Sequence, residues 1–173
     1  MADRFASVGW DPDAHDAVGF DSGVAELDDW LRDYAAVASV RGLARTFVWI
    51  DGAGTVRAFY SLTAHKLSRD TLPSPSARGV PREIPAILIA KLALDRSLQG
   101  QGMGAALVAD ALQRVATAAR LVGARLAVVD AMTDDVVGFY ERLGFVLIPG
   151  SRRMAQRIED LPDPREGARR GAD

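Results

Sequence analysis

The stretch AILIAKLALDRSLQGQGMGA, residues 86–105, decides how this chain folds. Its first part, Ala86–Leu94, is apolar on both faces, as expected of a strand in the middle of a sheet. Its end opens an amphipathic run, Met103–Arg120, that reads as a helix. Between the two lies Gln99-Gly100-Gln101-Gly102-Met103-Gly104. A glycine-dense turn feeding a helix start lets main-chain N–H groups approach a ligand without Cβ interference. The helix end adds free donors and a positive dipole end. Together these make a phosphate cradle; the plainer reading is a tight strand–helix turn that needs glycines.

Two familiar phosphate loops compete for this turn. No Gly-Lys-Ser/Thr follows, so a Walker-type loop is excluded. Gly100-Gln101-Gly102-Met103-Gly104-Ala105 does satisfy the dinucleotide pattern G-x-G-x-x-A, and Asp130 ends the next apolar run. Against that reading, Asp95–Gln99 separate the strand from the first glycine, and the chain after Asp130 is too short for the rest of a doubly wound sheet.

Gln99-x-x-Gly102-x-Gly104 resembles the pyrophosphate-binding motif, Gln/Arg-x-x-Gly-x-Gly/Ala, of the GNAT family of N-acetyltransferases. About forty residues downstream, Phe139-Tyr140-Glu141-Arg142-Leu143-Gly144-Phe145 looks like that family's F-Y-x-x-x-G-F block. The resemblance spans roughly residues 20–157. It implies acetyl-CoA as co-substrate, bound at this turn, and an α/β (α+β) fold: a mixed central sheet with splayed middle strands and helices on both faces.

At 173 residues the chain suffices for one domain with a real core, expected over 1–160, with a charged tail at 161–173 that frays. Cysteine is absent, which excludes disulfides, thiolate metal sites and a cysteine nucleophile; the histidines, His15 and His65, are too few for an imidazole zinc site. No metal is expected. No apolar run spans a bilayer and the first residues lack a signal-peptide core, so the expectation is a cytoplasmic protein with no membrane partner. Net charge is −2 but unevenly spread: residues 1–33 hold nine acids against Arg4 and Arg32, leaving the rest of the chain basic.

Along the chain, Arg4–Trp10 reads as a short edge strand. Phe20-Asp21-Ser22-Gly23 opens a helix to about Val40, capped by Ser22 or Asp21, with Val24, Leu27, Leu31, Tyr34 and Ala38 on one face. Ala44–Ile50 and Thr55–His65 form a hairpin about Asp51-Gly52-Ala53-Gly54. Lys66–Glu83, with three prolines, reads as a long loop. In the helix after the turn, Asp110, Gln113, Arg114 and Thr117 share a polar side. Arg125–Asp130 is the next strand, Thr133-Asp134-Asp135 starts a short helix, and Phe145–Ile148 and Arg152–Gln156 close the sheet.

By resemblance, the backbone of Gln99, Gly100, Gln101, Gly102, Met103, Gly104 and Ala105 holds the cofactor. A main-chain N–H near Leu92, Ala93 and Leu94 polarises the thioester carbonyl. Tyr140 is the general acid; a phenol, with a reference pKa of ~10 against ~8.5 for a thiol, stays protonated where a thiolate must be quenched. Asp130 and Asp134 are candidate contacts to the pantetheine arm or the acceptor amine. Among His65, Glu83 and Asp130 no general base stands out.

A third block selects a branch. Phe20-x-Ser22-Gly23-x-x-x-Leu27-Asp28-x-Trp30-Leu31 is similar to the start of the acetyltransferase toxins of bacterial toxin–antitoxin pairs, and Thr46-Phe47-Val48 and Pro85–Asp95 agree. Lys91 departs from the pattern, standing where many relatives carry arginine. This likeness implies acetylation of the α-amino group of aminoacyl-tRNA, a block of translation, a ribbon-helix-helix antitoxin as partner, and a homodimer. The alternative is a housekeeping GNAT acetyltransferase acting on a small-molecule amine or a protein N-terminus.

Overall fold

A computed structural model describes residues 4–163; most of the expected tail thus lies outside the described residues. Two compact units emerge, Met1–Thr63 with Ala90–Ala111 and Ala64–Ile89 with Leu112–Asp173. The strands are β1 (Ala6–Gly9), β2 (Arg45–Ile50), β3 (Val56–Ser68), β4 (Glu83–Leu94), β5 (Leu126–Asp130), β6 (Val146–Leu147) and β7 (Arg153–Arg157). They form one seven-stranded sheet in the order β1-β2-β3-β4-β5-β7-β6. The sheet is mixed: β4 and β5 run parallel, whereas β1–β2, β2–β3, β5–β7 and β6–β7 are antiparallel. The parallel register runs from Ala86↔Leu126 to Ile89↔Val129, and β4 continues to Leu94.

In the first unit, strand alternation sends neighbouring residues to opposite faces. Val48 and Phe59 join a core with Phe20, Leu27, Leu31 and Ala35 on one face. Trp49 and Tyr60, one position along, reach Asp110 of α3 (Met103–Val122) on the other. Helices therefore cover both faces here. The predicted helix from Phe20 is broken into α1 (Ala25–Asp29), a π-helical turn (Trp30–Tyr34) and α2 (Ala35–Val40). Neither Ser22 nor Asp21 caps it; the N-cap is Val24, with no side-chain bond. Ser22 and Asp21 instead shape the preceding turn, Asp21 accepting from the Gly23 N–H at 2.9 Å and Ser22 Oγ from the Val24 N–H at 3.2 Å. The wider π turn shifts the helix phase, so Ala35 is buried and Tyr34 is left 61% exposed.

Asp110 departs from the polar side expected for it. It does not share a solvent face with Gln113: one carboxylate oxygen accepts hydrogen bonds from Ser7 Oγ (2.6 Å), Trp49 Nε1 (3.0 Å) and Tyr60 OH (2.9 Å). One side chain of α3 thus ties the helix to β1, β2 and β3. Asp110→Ala would remove the acceptor that three donors share, and a loss of about 3 kcal/mol in urea unfolding is expected; a change below about 0.5 kcal/mol, the scale of ordinary surface substitutions, would contradict this role.

The second unit has its own core, in which Leu67, Ile84, Ala86, Leu126, Val128, Ile148 and Ala155 meet Val80. Leu72 packs against it, so the predicted loop Lys66–Glu83 is a fitted cover. It is shorter than expected because β3 reaches Ser68 and β4 begins at Glu83. Short 3-10 turns at Arg69–Thr71 and Ser74–Ala77 fill it, and the Arg69 N–H bonds the Arg82 carbonyl at 2.9 Å. Helix α4 (Asp134–Arg142) follows β5.

Candidate active site

After Leu94 the backbone makes a 3-10 turn over Arg96–Leu98 before the glycines. Asp95, 8% exposed, opens it by accepting from the Ser97 N–H (3.0 Å) and Ser97 Oγ (2.6 Å). These bonds hold the Asp95 carboxyl below the usual carboxylate range, against the opposing pull of burial. Gly100 and Gly102 then take φ of +71° and +75°. These are left-handed conformations that disfavour side chains. A Cβ built on either would point into open space. The turn therefore presents clear backbone at the N-terminal end of a 20-residue helix, the place where a phosphate is held by N–H groups.

The side chains of the turn face elsewhere. Gln99 donates through Nε2 to the carbonyl oxygens of Ser22 (2.8 Å) and Leu94 (3.0 Å), and Gln101 donates to that of Ser97 (2.7 Å). Met103 is buried. Leu92, Ala93 and Leu94 end β4, with Ala93 in the core. Just before them, the Lys91 ammonium lies 6.0 Å from the Trp30 ring centroid, and Trp30 stacks on Phe59.

In the second unit, Tyr140 lies in α4 at 7% exposure, edge-on to Phe145 with ring centroids 5.6 Å apart. Burial pushes its phenol up to about 12. The group stays protonated across the neutral range, so there it can give a proton but cannot serve as a base. Gly144, at φ +94°, ends this helix. Asp134 sits in the first turn of α4, its side chain 87% exposed and paired with Arg152 at 2.8 Å.

Asp130, His65 and Glu83 each have a charged partner. Asp130 is gripped by Arg153 through two bonds, at 2.7 and 2.8 Å, and this contact holds its carboxyl below the ordinary value. The same guanidinium lies 2.9 Å from His65 Nε2. A guanidinium can only donate, so that ring nitrogen accepts. Burial first, and then Arg153, lower the His65 pKa. Glu83 pairs with Lys66 at 2.6 Å.

A family model described as an acetyltransferase (GNAT) domain matches residues 81–162. The chain is 37% identical over 137 residues, 79% of its own length and 82% of the relative's, to the tRNA-acetylating toxin of Mycobacterium tuberculosis. The chain belongs to the GNAT acetyltransferases. Two solved structures, both of the toxin AtaT, resemble it closely. One is AtaT complexed with acetyl-methionyl-tRNAfMet, at TM-score 0.82 and 26% identity, covering 90% of this chain and 95% of that one. The other is a tyrosine-to-phenylalanine mutant of AtaT bound to the C-terminus of the antitoxin AtaR and acetyl-CoA, at TM-score 0.76 and 25% identity, covering 91% and 96%.

Against this GNAT frame, the expected residues fall into two sets. Leu92–Leu94 and Gln99–Ala105 belong to the first unit; Asp134 and Tyr140 belong to the second. Sequence reasoning missed the side chains that brace the GNAT turn, namely Asp95 and, through Ser22, Asp28. Asp95 had a legible signal, an acid two residues before Ser97 where a strand ends. Asp28 had only its place in the N-terminal motif. Among the described residues no group of three or more His, Asp or Glu is placed to hold a metal, and no helix is long and apolar enough to cross a membrane.

Proposed function

We propose that this chain is an acetyltransferase toxin that moves the acetyl group of acetyl-CoA onto the α-amino group of an aminoacyl-tRNA, and so blocks translation. The likeness to the tRNA-acetylating toxin over most of both chains carries this reading. The glycine turn supports the co-substrate reading, because the space where a Cβ at Gly100 or Gly102 would stand is open to an incoming phosphate.

Acetyl-CoA supplies the acetyl group as a thioester. The main chain of Gln99–Ala105 holds its pyrophosphate, and a main-chain N–H near Leu92–Leu94 bonds the carbonyl oxygen as charge builds there. The Tyr140 hydroxyl gives its proton to the departing sulfur. Asp134, at the start of the same helix, meets the pantetheine arm or the acceptor once its exposed pair with Arg152 opens. No strong protein base is needed. An aminoacyl ester lacks the carboxylate charge that keeps a free amino acid's amine protonated, so a neutral nucleophile is available near pH 7. That agrees with His65 and Asp130 both being held by Arg153.

Residues 1–160 act in this reading as one acetyltransferase domain of a cytoplasmic protein. A ribbon-helix-helix antitoxin silences it, and it works as a homodimer. Support for the antitoxin comes from AtaT, which is seen bound to the C-terminus of AtaR. Induced expression in a permissive host tests the reading: growth should stop with the wild type and continue with Tyr140→Phe. Unimpaired growth with well-expressed wild type would favour a housekeeping acetyltransferase.

A further inference from the structure

We propose that the N-terminal segment Phe20–Leu31 is the positioning element of the cofactor turn, and that the side chain of Gln99 positions that turn rather than contacting acetyl-CoA. The inference rests on the turn being the phosphate site. The segment is anchored by Phe20, Leu27 and Leu31, all in the first unit's core. From there a line of hydrogen bonds runs to the turn. The buried Asp28 carboxylate accepts the Ser22 N–H at 3.0 Å, the Ser22 carbonyl accepts Gln99 Nε2 at 2.8 Å, and the same amide reaches the Leu94 carbonyl at 3.0 Å. A second line runs beside it. The Asp21 N–H donates to Asp95 Oδ2 at 3.2 Å, the Arg96 N–H donates to the Asp21 carbonyl at 2.8 Å, and Arg96 Nε pairs with the Asp21 carboxylate at 3.2 Å. Gly23 closes the bracket: at φ +84°, its Cβ would stand 3.3 Å from the Arg96 guanidinium.

The donor inventory of Gln99 decides its role. A primary amide has two N–H bonds, and here both go to main-chain carbonyls. What remains is the amide oxygen, an acceptor that an anionic phosphate oxygen cannot bond. Gln99 therefore holds the two sides of the turn together. A backbone freed by Gly100 and Gly102 needs such bracing if its N–H groups are to be aimed before the ligand arrives. Every defining residue of the N-terminal motif finds a place here, in the core, in a hydrogen bond or against Arg96.

The test uses charge to separate bracing from direct electrostatics. Removing an acid near an anionic ligand should strengthen binding if the field alone matters; it should weaken binding if the acid holds the turn. Acetyl-CoA affinity is measured by titration calorimetry on the full chain, for Asp21→Ala, Asp28→Ala, Gln99→Ala and Gln99→Arg. Asp21 is exposed, so its variant carries the test if Asp28→Ala does not fold. Expected is a loss of about tenfold for each alanine variant, with the Gln99→Ala and Asp21→Ala double variant losing less than the product of the singles, as coupled sites do. KM for acetyl-CoA should rise while kcat at saturation holds, and Gln99→Arg, which keeps two donors, should bind nearly as wild type. Unchanged or tighter binding in the Asp21 and Asp28 variants, or additive losses, would overturn the bracket. Undiminished binding by Gly102→Val would instead overturn the phosphate site itself.

Discussion

Tyr140→Phe is expected to lower turnover by ~10²–10⁴-fold while leaving acetyl-CoA affinity within a factor of about two. Phenylalanine keeps the edge-on packing against Phe145 and removes only the hydroxyl. The pH profile follows from the raised pKa. The protonated phenol is the active form, so activity through this group would be lost only as pH rises through about 12. Between pH 6 and 10 the wild type should therefore show only the rising limb of the acceptor amine. A falling limb near pH 9 that vanishes in Tyr140→Phe would contradict the assignment, as would a variant retaining half of wild-type turnover. So weak an acid does not protonate a free thiolate downhill; the proton moves while the carbon–sulfur bond breaks, and the acceptor's own lost proton restores the balance.

Gly102→Val should weaken acetyl-CoA binding by about 10²-fold or more, the equivalent of losing two charge-assisted hydrogen bonds. The substitution acts twice. It places a branched side chain in the open space proposed for the phosphate, and it forces φ +75° on a residue that avoids it. The strain is about 1–2 kcal/mol and falls on a helix start whose remaining turns are packed, so the variant should still fold. Calorimetry on a variant with native near-ultraviolet circular dichroism decides it. Undiminished affinity there would reduce the glycines to plain turn formers.

Most of the fold was legible because its elements follow their periodicities. The apolar run of Ala86–Leu94, interrupted only by Lys91, gives a central strand, and the glycines before Met103 mark the helix start to the residue. What escaped depends on contacts distant in sequence. Asp110 belongs by helical phase to the polar side, and only the arrival of Trp49 and Tyr60 from the hairpin reveals it as an acceptor. The π turn at Trp30–Tyr34 leaves no mark in propensity, yet it moves the buried face from Tyr34 to Ala35. For the candidate site, the family resemblance singled out the main chain of Gln99–Ala105 and Tyr140 as the groups to test. The bracing was not legible, because the partners of Gln99 are carbonyl oxygens, which carry no residue identity.

Acetyl transfer to the amine of a charged tRNA can be followed by label. Purified enzyme is incubated with labelled acetyl-CoA and a pool of tRNA, half aminoacylated and half uncharged, and the label is followed before and after mild alkaline hydrolysis of the ester. Label should appear only in the aminoacylated fraction and leave the RNA as N-acetyl amino acid when the ester is cleaved. Label confined to free polyamines or protein N-termini, with none on charged tRNA, would contradict the account.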